Sequence, residues 1–217
     1  ERVPFLFLID FELEKPKAWR LSEVNPDEIL YSFNGFSNAS SCKSINKNVQ
    51  IKSFPISYEE YKRKFDIVFG HLNYGDSFLV NLTIKSRIEL DKSLQQLFYQ
   101  ATAKYKFWLR DKFLCFSPET FVRIKNGKIF SYPMKGTIDA SIEGADKIII
   151  ENKKELAEHI TIVDLIRNDL SQVASNVSIS KFRYLDKITI GRRGLLQVSS
   201  EIVGDLQPNY LEQLGSI

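Results

Sequence analysis

The chain has 217 residues, of which 43% are hydrophobic and 26% are charged, and its formal net charge is +3. This is the composition of a globular protein, and we expect a single domain over residues 1–217. The basic residues form no dense block, which argues against a nucleic-acid partner. Two cysteines are too few for a disulfide framework, so the cytoplasm is the expected compartment. The apolar run 5–9 is too short for a signal peptide or a membrane span.

Strand and helix patterns follow each other without a regular order in the first half of the chain. Residues 5–11 predict a buried strand, and residues 34–48, which are rich in Asn, Ser and Lys, predict a loop. Apolar residues recur with helical spacing over 57–72, which predicts an amphipathic helix. Apolar and polar residues alternate over 78–84, which predicts a strand with one buried face, and a second helix is expected over 91–105.

The second half begins with a strong hairpin signal. Residues 120–124 and 128–132 flank Asn126-Gly127, a dipeptide that favours the positive φ angles of a two-residue turn. Asn152 is a candidate N-cap for a helix that extends to about residue 170, and residues 194–206 predict a closing strand. Because strands and helices do not alternate as βαβ units, we expect an α+β fold with large, mostly antiparallel sheets.

One candidate for chemistry is Lys135, which lies within Pro133-Met134-Lys135-Gly136-Thr137. The proline fixes φ before the lysine and the glycine removes a side chain after it. The amine therefore lies on a stiff segment that a ligand can approach closely. A lysine attacks only as the neutral amine, which requires a desolvated site. The alternative is an ordinary surface lysine in a turn.

A second candidate is Glu119, which lies in Ser117-Pro118-Glu119 just before the hairpin. If the two-residue turn sets the register, Glu119 lies opposite the residue that precedes Lys135. Strict pairing would place the two side chains on opposite faces, because side chains alternate along a strand. They converge on one cavity only if Pro133 ends the strand pairing or introduces a bulge. The alternative is an exposed glutamate at the start of a strand.

A third group, Glu155, Glu158 and His159, has the spacing of one face of a helix. Carboxylates without thiolates or several imidazoles suit a hard cation, and Mg²⁺ is the usual one. His71 and His159 are the only histidines, which is too few for a multi-histidine zinc site. We expect Glu158 to face the same cavity as Lys135. The alternative is a solvated helix face.

The end of the same helix carries a dense polar group, Asp164, Arg167, Asn168 and Asp169. We expect these side chains to cap the helix end and to form local ion pairs. They are not counted among the candidate catalytic residues.

Together and in this order, the motifs resemble the chorismate-utilising enzymes. That family includes the anthranilate, aminodeoxychorismate, isochorismate and salicylate synthases. The resemblance implies antiparallel sheets packed in a sandwich with helices on the outside. It extends from about residue 73 to residue 206 and rests on the stretches Gly75–Thr83, Ser117–Glu119, Pro133–Thr137, Ala157–His159 with Val163–Leu170, and Val198–Leu206.

The residue at position 135 separates the branches of this family. Anthranilate and isochorismate synthases typically have alanine there, whereas aminodeoxychorismate synthases have lysine, as in this chain. The resemblance therefore implies component I of an aminodeoxychorismate synthase. This transferase makes 4-amino-4-deoxychorismate from chorismate and ammonia for para-aminobenzoate and folate synthesis, with a glutamine amidotransferase as partner. An anthranilate or isochorismate synthase-like enzyme and a non-catalytic chorismate-binding fragment are the alternatives.

The same resemblance implies a role for each candidate residue. Lys135 attacks C2 of chorismate while Glu119 acts as an acid on the departing C4 hydroxyl, which is a poor leaving group without a proton. Gly136 and Thr137 belong to the substrate-binding site. Glu158 holds a Mg²⁺ ion that binds the ring carboxylate, and Glu155 is a second ligand, directly or through water.

The sequence departs from the family pattern in two places. Gln197 stands near a position at which many relatives have a histidine. The family pattern also continues into a segment with a second Mg²⁺-binding glutamate, so we expect this chain to lack its C-terminal portion. Since Mg²⁺ held by Glu155 and Glu158 alone would be mostly hydrated, the 217-residue chain by itself is expected to be inactive.

Overall fold

The structure is a computed structural model that describes residues 3–40, 49–78, 80–117, 119–190, 193–208 and 210. All pairs between the described strands are antiparallel, which confirms the predicted α+β fold with mostly antiparallel sheets. In chain order the elements are β1 (Phe5–Leu8), β2 (Lys17–Arg20), β3 (Ile29–Phe33), β4 (Phe36–Ser37), β5 (Ile51–Phe54), α1 (Tyr58–Tyr74), β6 (Arg87–Leu90), α2 (Leu94–Gln100), β7 (Tyr105–Leu109), β8 (Phe113–Ser117), β9 (Arg123–Lys125), β10 (Lys128–Ser131), β11 (Met134–Asp139), α3 (Ala145–Glu151), α4 (Lys153–Ser171), β12 (Ala174–Ile190) and β13 (Arg193–Leu206).

The chain forms two compact units, one of residues 1–40 and 102–217 and the other of residues 41–101. The prediction of a single domain over the whole chain stays a prediction. None of the helices in the described part of the chain combines the length and the apolar character that a membrane crossing requires.

The largest sheet is built around β13. One edge of β13 pairs with β12 along nearly its whole length, from Ala174↔Leu206 to Ile190↔Arg193. The other edge pairs first with β10 and then with β11, and β9 extends the sheet beyond β10. The hairpin of β9 and β10 has the predicted turn, because Asn126 and Gly127 have φ angles of 53° and 72°.

Helix α4 packs on this sheet and closes its core. Asn152 caps the helix as predicted, since its side chain accepts a hydrogen bond from the Glu155 N–H at 3.1 Å. Apolar side chains recur on the helix face turned to the sheet, which removes them from water. The buried cluster consists of Ile129, Val163, Leu170, Val173, Ala174 and Ile202.

A second core in the first unit joins β3 and β7 to the segment around β1 and β2. It contains Leu6, Val24, Ile29, Tyr31 and Phe107. The prediction of a buried strand over 5–11 is only partly right, because β1 ends at residue 8 and Leu6 is its one buried residue. The other residues of β1 are exposed or partly exposed, and β1 pairs with β2 in a two-stranded sheet.

In the second unit, α1 has the predicted position. The Ser57 side chain accepts a hydrogen bond from the Glu60 N–H at 3.2 Å, and Gly75 ends the helix with φ of 95°. The predicted strand over 78–84 is wrong, because residues 80–86 have no strand partner. Alternating apolar residues favour an extended chain, but a strand also needs a neighbour for its backbone groups.

Two other boundaries differ from the sequence prediction. Helix α2 is shorter than 91–105, because its N-cap is Ser93 and the chain leaves helical geometry at Ala101 before β7. The predicted loop over 34–48 contains the short strand β4, and its residues 41–48 lie outside the described residues.

Candidate active site

Lys135 lies on a bulge in β11. Met134 pairs with Ser199, but Thr137 pairs with Gln197, so β11 has one residue more than β13 between these two pairs. Gly136 adopts φ of 86° at this point, a conformation that glycine reaches without a steric penalty. The bulge changes the direction of the half-buried Lys135 side chain relative to a regular strand.

Glu119 and Lys135 line one cavity of about 530 Å³. The β9–β10 pairing has the predicted register but reaches only as far as Arg123↔Phe130. Glu119 lies beyond that pairing, so the alternation of faces does not separate it from Lys135. The predicted irregularity is present, although the register shift falls after Pro133, at the glycine, rather than at the proline itself.

The segment that carries Glu119 is fixed by two local contacts. The Ser117 hydroxyl accepts a hydrogen bond from the Glu119 N–H at 3.1 Å. The next residue, Thr120, places its hydroxyl 2.6 Å from the Tyr105 hydroxyl on β7. Pro118 of the predicted motif lies outside the described residues. These contacts hold an exposed carboxyl at the rim of the cavity, where a proton can be delivered to a bound molecule.

Apolar side chains form the wall of this cavity on the side of α4, including Ile162, Ile166 and Val173. Polar side chains that the sequence did not single out as catalytic also line it, among them Tyr132 and Asp169. The sequence could have indicated Asp169, because residues 162, 166 and 169 are spaced by four and three positions and so share one face of α4. For its neighbours Asp164 and Arg167 the predicted local ion pair is observed, at 3.8 Å.

Glu155 lies in the first turn of α4, next to the bulge. A Cβ atom placed on Gly136 would lie 3.2 Å from Glu155 Oε2, so a larger residue there would make the carboxylate shift by a few tenths of an ångström. Glu158 is exposed, and its Oε1 lies 3.6 Å from Lys154 Nζ. Neither glutamate is among the residues that line this cavity, and a cavity shared by Glu158 and Lys135 stays a prediction. The cavity lies against the later turns of α4, whereas both glutamates lie in the first two.

His159 does not share the exposed face of Glu158, contrary to the sequence prediction. Its side chain is fully buried, and its Nε2 lies 2.7 Å from Ser200 Oγ. Burial lowers the pKa of His159, and the nearby positive charge of Arg183 lowers it further. Successive residues on a helix point about 100° apart, so Glu158 can face solvent while His159 faces the sheet.

Thr137 and Gln197 face each other across β11 and β13. Gln197 is 8% exposed, and its Oε1 has no hydrogen-bond partner among the described residues. Thr137 is exposed. The structure thus places Gly136, Thr137 and Glu155 beside Lys135, and Glu119 across the cavity from α4. Among the described residues, no three side chains of His, Cys, Asp or Glu form a metal-binding group.

Comparisons with known proteins all point to one protein family. The model of the chorismate binding enzymes matches residues 13–212. An uncharacterised PabA-like protein of Pasteurella multocida is 44% identical over 218 aligned residues, covering all of this chain and 67% of that protein. Aminodeoxychorismate synthase component 1 of Klebsiella aerogenes is 32% identical over 136 aligned residues, covering 57% of this chain but only 30% of that protein.

Solved structures give the same fold. Anthranilate synthase component I from Streptococcus pneumoniae superimposes with a TM-score of 0.54 at 20% identity, covering 75% of this chain and 37% of that one. The family match extends over nearly the whole chain and includes every candidate residue of the site. The chain therefore belongs to the family of chorismate-binding enzymes.

Proposed function

We propose that the protein containing this chain is component I of an aminodeoxychorismate synthase, which converts chorismate and ammonia to 4-amino-4-deoxychorismate. A glutamine amidotransferase is the proposed source of the ammonia, and para-aminobenzoate for folate is the proposed end product. The observation that supports this most is the shared cavity of Lys135 and Glu119. Its volume of about 530 Å³ is within the range of small-molecule sites.

Each of the two residues has a distinct role in the proposed reaction. The Lys135 amine forms a bond to C2 of chorismate, and the C4–O bond breaks as Glu119 gives its proton to the departing hydroxyl, which leaves as water. Ammonia then forms a bond to C4 and loses a proton, which returns to Glu119, and the bond between Lys135 Nζ and C2 breaks. This regenerates the amine, and no oxidant or reductant is needed.

The lysine itself distinguishes this reaction from the other activities of the family. Anthranilate and isochorismate synthases typically have alanine at the position of Lys135, which has no nucleophile. In this chain the amine lies on a bulge that changes its direction. Apolar side chains from α4 form one wall of the cavity and reduce its hydration.

Glu155 and Glu158 are the residues that would hold Mg²⁺. Two carboxylates, with no thiolate beside them, are donors that this hard cation prefers, and water or substrate oxygens can complete its coordination. Glu155 fits this role because its Oε2 already lies against the Gly136 backbone, beside the nucleophile. When bound there, the ion would neutralise a carboxylate of the substrate.

The proposal is tested by supplying chorismate, ammonia and Mg²⁺ to the full-length protein and identifying the product by mass spectrometry. We expect 4-amino-4-deoxychorismate, and we expect Glu119→Gln to lower its rate by about 10²–10⁴-fold, the usual contribution of a general acid. Lys135→Ala should reduce formation of the product at least as strongly.

Lys128→Ala is the matched control, since Lys128 lies on β10 and its amine pairs with Asp205 outside the cavity. This variant should keep its activity. Formation of anthranilate or isochorismate by the unmodified protein would refute the proposed branch. Full activity of Lys135→Ala would refute the proposed nucleophile.

A further inference from the structure

Three polar side chains behind the bulge connect both helices of the site to the long strands. His159 Nε2 on α4 lies 2.7 Å from Ser200 Oγ on β13. The same oxygen accepts a hydrogen bond from the backbone N–H of Arg183 on β12 at 3.0 Å. The Arg183 guanidinium in turn donates to the backbone carbonyl of Ile149 on α3 at 3.3 Å. Hydrogen bonds thus run without interruption from α4 to α3.

The backbone at Arg183 has an unusual conformation. Its φ is 50°, and it lies where the pairing of β12 with β13 shifts by one residue, between Lys181 and Tyr184. A residue other than glycine adopts positive φ only where its surroundings hold it there. Arg183 has two hydrogen bonds at this point, one from its backbone N–H to Ser200 and one from its side chain to the carbonyl of Ile149.

These hydrogen bonds end at the groups that surround the Lys135 bulge. A Cβ atom on Gly136 would lie 3.5 Å from the side-chain carbons of Ile149 and 3.2 Å from Glu155 Oε2. Ile149 is the residue whose carbonyl Arg183 holds, and Glu155 lies one turn before His159 on α4. The bulge therefore lies between two helices, α3 and α4, that this network connects to the sheet.

Burial makes the network sensitive to the loss of any member. His159 Nδ1 and Arg183 Nε are buried without a hydrogen-bond partner among the described residues. A buried polar group that lacks a partner is costly, and an apolar side chain would fill the same space without that cost. Hydrogen bonds fix specific partners and geometry, which apolar packing does not. Polar groups at these positions are therefore consistent with a role in orienting the helices.

We infer that His159, Ser200 and Arg183 are positioning residues that hold α3 and α4 against the bulge and thereby orient Lys135 and Glu155. The importance of this orientation for catalysis rests on the proposed function. The hydrogen bonds that connect α3 and α4 to the sheet do not depend on it. None of the three residues lines the cavity of Lys135 and Glu119. They act through the backbone of Ile149 and through the placement of α4.

The test replaces Arg183 by methionine in the full-length protein, which keeps the length of the side chain and removes its donors. We expect kcat to fall about tenfold and KM for chorismate to change little. A tenfold loss is the size of effect expected when one hydrogen bond from a charged group is removed. Amide hydrogen exchange should become faster over residues 134–139 and 153–159 and stay unchanged over the β9–β10 hairpin, 123–131.

Arg183→Lys should recover most of the lost rate, because the ammonium group can still donate to the carbonyl of Ile149. The matched control is Arg110→Met, since Arg110 is exposed and pairs only with Asp111 among the described residues, at 3.6 Å. If Arg183→Met does not fold, Ser200→Ala removes the shared acceptor instead and should give the same local increase in exchange.

Two results would overturn the inference. One is a folded Arg183→Met or Ser200→Ala variant with unchanged kcat and unchanged exchange around the bulge. The other is faster exchange spread evenly over the first unit, which would show a general loss of stability. If the unmodified protein makes no aminodeoxychorismate while exchange still rises only around the bulge, the proposed function fails and the positioning network is supported.

Discussion

Helices α1 and α4 carry apolar stripes of the same period, yet only the stripe of α4 is covered within its own unit. On α4, Val163 and Leu170 are at most 5% exposed and pack against Ile129 and Ile202 of the sheet. On α1, no residue is buried, and Phe65 is 44% exposed. The same sequence pattern therefore predicts a helix in both places but does not predict what lies against it.

The two helices accordingly owe their stability to different interactions. Helix α4 gains from removing apolar surface from water against a five-stranded sheet. Helix α1 depends on local interactions, among them the Ser57 cap and the ion pair of Lys62 with Asp66 at 2.5 Å. Its aromatic rings stack on one another, with Phe65 centred 5.9 Å from Phe69. Local interactions of this kind are individually small.

The largest expected effect is a truncation in the covered core. Ile202→Ala should cost about 2–5 kcal/mol in the free energy of unfolding, because Ile202 is fully buried and its loss leaves a cavity. Phe65→Ala on the open face of α1 should change stability by no more than about 0.5–1 kcal/mol. Chemical denaturation, followed separately in each unit, measures both. Equal costs for the two variants would contradict the contrast between the helices.

An intermediate effect is expected at two glycines that share a positive φ. Gly75→Ala at the end of α1 should cost about 1–2 kcal/mol from backbone strain alone, because none of the described residues lies within 4 Å of the added methyl. Gly136→Ala should cost more, because the methyl would also meet Glu155 and Ile149. Thermal unfolding of both variants checks this order. A smaller loss of stability for Gly136→Ala than for Gly75→Ala would show that Glu155 and Ile149 move aside for the added methyl.

The smallest expected effect is a pH dependence that comes from His159. Burial lowers the pKa of His159 in the folded chain. As the pH falls below the ordinary histidine pKa of about 6.5, the unfolded chain therefore binds a proton at a pH where the folded chain does not. Stability should therefore fall as the pH drops below that value, until the folded-state pKa is passed. His159→Gln should reduce this slope in urea denaturation between pH 7 and about 5. An unchanged slope in His159→Gln would contradict the assignment.

Much of the site could be predicted from sequence because its elements are locally encoded. The Asn126-Gly127 turn, the Asn152 cap and the β9–β10 register all follow from preferences of single residues. Glu119 and Lys135 share a cavity because the strand pairing becomes irregular near Pro133. A proline within a strand predicts such an irregularity. Each of these features depends on a few neighbouring residues.

What the sequence did not reveal depends on distant contacts. His159 is buried and its Nε2 contacts Ser200, which is 41 residues away in the sequence. Residues 78–84 have the alternating pattern of a strand, but residues 80–86 pair with no strand in the described part of the chain. Pattern alone contains none of these long-range relations.

The central claim, that Lys135 is the nucleophile, is tested most directly by withholding ammonia. The full-length protein is incubated with chorismate and Mg²⁺, quenched in acid, digested and analysed by mass spectrometry. Our account predicts an adduct of chorismate less one water on the peptide that contains Lys135, absent in Lys135→Ala and unchanged in Lys128→Ala. Turnover on adding ammonia without any such adduct, or an adduct on another residue, would contradict the account.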